Sequence, residues 1–159
     1  MSDLLLDPRC VFVSTATSQR DVFVDISSKL EMMGYVKPGF LDALIVREKE
    51  YPTGIDMSPI GPGVPSFAVP HTNPEYVNVT RVVPIRFVER IEWHDMVNPE
   101  AKFNISFAFM ILNHLGDCQA TILSRIMDTA NKLGSDGLNE LFNQASEEAI
   151  YDTLAPYFT

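Results

Sequence analysis

The chain has little of what most specialised sequence classes require. Only Cys10 and Cys118 are cysteines among its 159 residues. They stand far apart with no Cys-x-x-Cys spacing, which indicates neither a redox pair nor a zinc knuckle, and two buried thiols are expected. Positive charge is scarce as well, with 12 Lys and Arg against 21 Asp and Glu for a net of −9. Phosphate contacts need clustered positive charge, so nucleic acid is not an expected partner, and the same deficit argues against an electrostatic membrane anchor. Long apolar runs are missing too: Phe107 to Leu112 falls far short of the roughly 20 residues that span a bilayer. The start of the chain is acidic with three consecutive leucines, unlike a secretory leader with a basic region and about 7 to 15 apolar residues. The expectation is a cytoplasmic protein without direct membrane insertion.

What is present is a globular composition, 46% apolar and 21% charged. At this length a single domain over residues 1–159 buries about 70% of its unfolded surface, enough to fold without disulfides or a structural metal.

Three stretches differ in periodicity. In the first, Cys10 to Val13 is short and β-prone. Ser18 reads as an N-cap, and Val22, Ile26, Leu30 and Met33 put one apolar face on a helix over about residues 19–33 that stops at Gly34. Pro38 and Gly39 open a second helix with Phe40, Leu44 and Val46 facing inward, ending before Pro52. The middle stretch, Pro52 to Pro74, holds six prolines and three glycines, which excludes a long helix. Phe67 to Val69 is its best strand, and Pro70 presses Val69 towards extended backbone so that the chain arrives stiff at His71. Beyond it, Arg81 to Arg90 and Phe103 to Leu112 read as strands, the second buried on both faces. Pro84 places the first at an edge or a bulge. In the last third Ala120, Leu123, Met127, Ala130 and Leu133 form one helical face, Gly134 and Gly137 break it, and Ser146 starts a final helix. Helices at both ends with strands between predict an α/β fold, a three-layer α/β/α sandwich around a mixed sheet.

Of the three histidines, His71 has the most telling context. An imidazole at a rigid strand end can present one nitrogen outward while the other binds a carbonyl, and a neutral imidazole attacks phosphorus without a separate base. His114 also follows a strand, and strand ends are where sites gather in open α/β sheets. His94, beside Trp93 and Asp95 in a polar connection, has no such placement. Arg47 can hold two phosphoryl oxygens at once, although an exposed arginine paired with Glu48 or Glu50 is the plainer reading. A zinc site from His71, His114 and Cys118 lacks the ligand spacing such sites show.

Arg47-Glu48, Tyr51-Pro52-Thr53-Gly54-Ile55 and Phe67-Ala68-Val69-Pro70-His71-Thr72 together resemble the enzyme IIA domain of the fructose/mannitol class of the bacterial phosphotransferase system, over nearly the whole chain. Thr72 with Asn73-Pro74-Glu75 looks more like the galactitol branch than like members with a small residue after the histidine. The resemblance implies that His71 is phosphorylated, that Arg47 steadies the phosphoryl group, that His114 is the second active-site histidine, and that Thr53 and Thr72 lie near the phosphoryl pocket. It implies HPr as donor, the cysteine of a IIB component as acceptor with a IIC transporter downstream, and no metal or organic cofactor. The alternative of another class is a regulatory IIA-like module that docks on kinases or transporters according to its phosphorylation state.

Overall fold

The computed structural model describes residues 5–116 and 119–158. Five strands, β1 (Phe12–Ser14), β2 (Gly54–Ile55), β3 (Phe67–Ala68), β4 (Thr80–His94) and β5 (Lys102–Asn113), form one sheet in the order β1-β4-β5-β3-β2. It is mixed: β1 with β4 and β3 with β5 are parallel, β4 with β5 and β2 with β3 antiparallel. Helices α1 (Gln19–Met32) and α2 (Phe40–Glu50) cover one face, α3 (Gln119–Phe142) and α4 (Glu147–Leu154) the other. This is the expected sandwich.

The apolar pattern of β5 explains the two layers. Phe107, Phe109 and Ile111 pack towards α3 and α4 while Ala108, Met110 and Leu112 pack towards α1 and α2, so alternation of side chains puts both faces of this strand in a core. Ser18 caps α1 by accepting from the Asp21 N–H at 3.1 Å, and Ser146 caps α4 by accepting from the Ala149 N–H at 3.1 Å. Both starts follow from a side-chain oxygen satisfying an orphan helix donor.

Several expectations give way. Pro84 lies on an interior strand, and the irregularity of β4 falls between Arg86 and Ile91. The reason lies in alternation: the Val82 N–H points to Leu5 O at 2.7 Å, so residue 84 faces the same way, where the chain has left the sheet as the 3-10 turn Pro8–Cys10 and no ladder bond is required. Cys10 accordingly belongs to that turn rather than to β1. Val46 is 53% exposed. The buried stripe of α3 runs through Ile122, Ile126, Thr129 and Ala130, with Leu123, Met127 and Leu133 at its margin and Ala120 exposed. Gly134, at φ 68°, kinks α3, which a side chain would resist, whereas Gly137 stays helical.

Candidate active site

His71 is held by backbone on both sides. The Val69 N–H donates to Thr53 O at 3.0 Å and the Ile111 N–H to Pro70 O at 2.9 Å, and His71 itself bridges Ile111. The segment leading to the imidazole is thus pinned between the Pro-Thr-Gly turn and β5. His71 Nδ1 lies 2.8 Å from Val69 O. A carbonyl can only accept, so Nδ1 carries the proton and Nε2 keeps its lone pair. The ring is half-buried. Burial lowers its pKa below the ordinary histidine value and the nearby Arg47 charge adds to this, against the opposing Val69 hydrogen bond. The neutral, nucleophilic form is favoured at physiological pH.

Arg47 occupies the last turn of α2, half-buried, with its guanidinium 4.6 Å from the centre of the Tyr51 ring. Its Nε is buried with no hydrogen-bond partner among the described residues, an arrangement that costs about 1 to 3 kcal/mol unless a ligand fills it. It pairs with neither Glu48 nor Glu50, which removes the plainer reading of this arginine. Arg47, Tyr51, Thr72 and Asn73 line a cleft of about 470 Å³ on this side of the molecule. Thr72, the residue after His71, therefore shares this cleft with Arg47.

His114 follows the end of β5, three residues beyond the Ile111 partner of His71, and is exposed. Its Nδ1 lies 3.2 Å from Val77 O, which leaves Nε2 with its lone pair, as in His71. The two imidazoles share no hydrogen bond with each other. Thr53 is 2% exposed, and both its N–H and its hydroxyl donate to Glu48 at 2.7 Å. Its side chain is thus committed to that carboxylate beneath the site.

Sequence reasoning missed Glu48 as a structural centre. The carboxylate is 4% exposed and also accepts from Trp93 Nε1 at 2.9 Å. The available signals were the acid beside Arg47, four residues short of the Pro-Thr-Gly turn, and the single tryptophan. Trp93 is fully buried and ends β4 together with His94, whose Nδ1 meets Pro99 O at 2.8 Å. These two residues therefore close a strand and not a polar connection. Gly54 has its own reason: a Cβ there would collide with the His94 carbonyl, so the motif glycine lets β2 approach the end of β4. Among the described residues no group of three or more His, Cys, Asp or Glu side chains converges, and Cys118 lies outside them. Cys10 is buried, its thiol pushed up to about 12 by burial.

Residues 4–156 match the family of phosphoenolpyruvate-dependent sugar phosphotransferase system, EIIA 2. The chain belongs to this EIIA family. No curated protein matches the sequence. The EIIA fold is similar to IIA mannitol from Escherichia coli, at 18% identity over 97% of this chain and 99% of that one with a TM-score of 0.71. The complex of IIAMtl and phosphorylated IIBMtl from Escherichia coli gives 19% identity over 95% and 97% with a TM-score of 0.73. The nitrogen regulatory protein IIA-Ntr from Neisseria meningitidis gives 20% identity over 94% and 96% with a TM-score of 0.61. As an EIIA chain this protein is a phosphotransferase component. Among the described residues no helix is long and apolar enough to cross a membrane.

Proposed function

We propose that this EIIA chain is a cytoplasmic phosphocarrier that accepts a phosphoryl group from phospho-HPr on Nε2 of His71 and passes it to the cysteine of a IIB component serving a IIC transporter. The observation that carries the reading is the His71 ring, fixed through Nδ1 on Val69 O beside the unpartnered donor of Arg47. In the first step the N–P bond of the donor breaks as the bond to His71 Nε2 forms, and in the second the IIB thiolate takes the group and Nε2 regains its lone pair. Transfer of this kind is mainly positioning and charge stabilisation. A phosphoryl group adds nearly two negative charges to a chain already at −9. Arg47 and His114 offset that charge, Thr72 lines the pocket, and Thr53 supports it from beneath. The donor and the acceptor are what family membership supports, the acceptor also through the likeness to a IIA bound to a phosphorylated IIB.

Incubation with phosphoenolpyruvate, the first enzyme of the system and HPr is expected to add one phosphoryl group. Labelling retained by His71→Ala would sink the assignment. The Thr72-Asn73-Pro74-Glu75 segment after His71 further supports a galactitol-type cargo. Faster transfer to a galactitol IIB than to a mannitol IIB is the expected result, and the reverse order would reject it. The likeness to IIA-Ntr favours one competing reading, a regulatory module. Capture of a IIB protein from cell extract supports transport; capture of regulatory proteins alone supports the other.

A further inference from the structure

Glu48 hydrogen-bonds to Thr53 and not to His71 or Arg47, yet its contacts lead towards both of these. One line runs through backbone. Glu48 accepts from the Thr53 N–H and hydroxyl at 2.7 Å each, Thr53 O accepts from the Val69 N–H at 3.0 Å, and Val69 O holds His71 Nδ1 at 2.8 Å. The other runs through the helix. Trp93 Nε1 donates to the same carboxylate at 2.9 Å, which ties the last turn of α2 to β4 and so fixes the rotation at which the neighbouring Arg47 leaves the helix. The carboxylate is buried at 4% exposure with three donors on its two oxygens, and no salt bridge pairs it with a cation among the described residues.

A buried acid with only neutral partners is a costly way to fill space, since an apolar side chain of the same size avoids the desolvation. What it supplies is direction: three hydrogen bonds of fixed geometry at the junction of α2, β4 and the Pro-Thr-Gly turn. We propose that Glu48 is a positioning residue for phosphoryl transfer, clamping Thr53 so that the Val69 carbonyl selects the Nδ1–H tautomer of His71 while the same carboxylate orients Arg47. The proposal rests on the reading of His71 as the phosphoryl acceptor.

The replacement geometry provides its own control. In Glu48→Gln the amide oxygen can take the place of Oε2, which receives both N–H donors, while the amide NH₂ faces a Thr53 hydroxyl that can turn round and accept. In Glu48→Met the volume is nearly kept and every hydrogen bond is lost. The ¹⁵N resonances of the His71 ring in the unphosphorylated chain, which require no donor protein, report the tautomer. Steady-state phosphorylation by phospho-HPr reports kcat and KM separately.

Glu48→Met is expected to move the His71 ring from one tautomer to a mixture and to lower kcat about 10- to 100-fold, the loss that follows a misplaced reacting group, with KM little changed. Glu48→Gln is expected to restore both. A folded Glu48→Met with wild-type ring resonances and kcat overturns the proposal, and so does Glu48→Gln as impaired as Glu48→Met. Should Glu48→Met not fold, Thr53→Val decides: a tautomer shift in the same direction supports the relay, and an unchanged ring pattern overturns it. Because the ring resonances are read without a phosphoryl group, a wrong acceptor assignment and a wrong relay give different results.

Discussion

Asp7 and Glu48 are both buried carboxylates, 3% and 4% exposed, and the fold treats them in opposite ways. Asp7 sits among cations: Arg9 Nη2 at 3.0 Å and Arg81 Nε at 3.9 Å, with the Tyr35 hydroxyl donating at 2.8 Å. Burial alone would raise its carboxyl, but the Arg9 and Tyr35 hydrogen bonds outweigh that and hold it down to about 2. Glu48 has neutral donors only, and burial pushes its carboxyl up against them. The contrast is sharper because Arg47 immediately precedes Glu48 in the chain. Successive residues on a helix point about 100° apart, so Arg47 turns to the cleft while Glu48 turns inward. An arginine is spent on a carboxylate where the N-terminal segment must be clasped to Tyr35 and β4. At Arg47 no carboxylate among the described residues is paired with the guanidinium, and the hydrogen-bonding capacity of its Nε stays available.

If that division holds, substitutions in the two regions should separate function from stability. Arg47→Gln is expected to slow phosphoryl acceptance and onward transfer about 10- to 100-fold, the worth of a charge-assisted hydrogen bond of about 1.5 to 3 kcal/mol. Thermal stability should hold or rise slightly, because a buried donor without a partner disappears. Asp7→Asn is expected to do the reverse, lowering stability by on the order of 1 to 2 kcal/mol, a figure discounted because Arg9 is largely exposed, with phosphorylation unchanged. Chemical denaturation and single-turnover kinetics on the two variants check this. A destabilised Arg47→Gln with normal rates would erase the distinction. The third and smaller effect concerns His114, whose exposed ring is held at Nδ1 by Val77 O. His114→Ala should still accept the phosphoryl group but pass it to IIB about fivefold more slowly, within the range of one neutral hydrogen bond.

The sandwich was legible because its signals are local. Ser18 and Ser146 cap helices wherever they occur, and the unbroken apolar run of β5 can only be satisfied between two layers. Strand order was not legible, since Pro84 reads as an edge residue until the path of the N-terminal segment is known. For the site, Pro70-His71 announces a stiff strand end, and Arg47 and Thr72, the residue after His71, line one cleft. What stayed hidden is the support. Glu48 looks like half of a surface ion pair in sequence, and nothing local says that Trp93, 45 residues away, reaches back to it. The motif places Thr53 near the pocket, and nothing local says that its hydroxyl turns to the Glu48 carboxylate.

The smallest effect is the response of stability to pH, where the two carboxylates should carry opposite signs. The folded value of Asp7, about 2, lies below its ordinary 3.8. Its contribution is therefore complete above that ordinary value and is lost as pH falls through about 2. Glu48 is raised above its ordinary 4.5, so the unfolded chain gives up the proton first as pH rises. Stability then declines from that ordinary value up to the raised folded one and is level beyond it. Glu48→Gln cannot lose a proton and should lack this decline, while Asp7→Asn should lack the loss at the acid end. Urea midpoints taken from about pH 2 to 8 separate the two. If Glu48→Gln keeps the wild-type decline above the ordinary carboxylate range, the neutral surroundings of this carboxylate do not govern its protonation, and the contrast with Asp7 reduces to geometry alone.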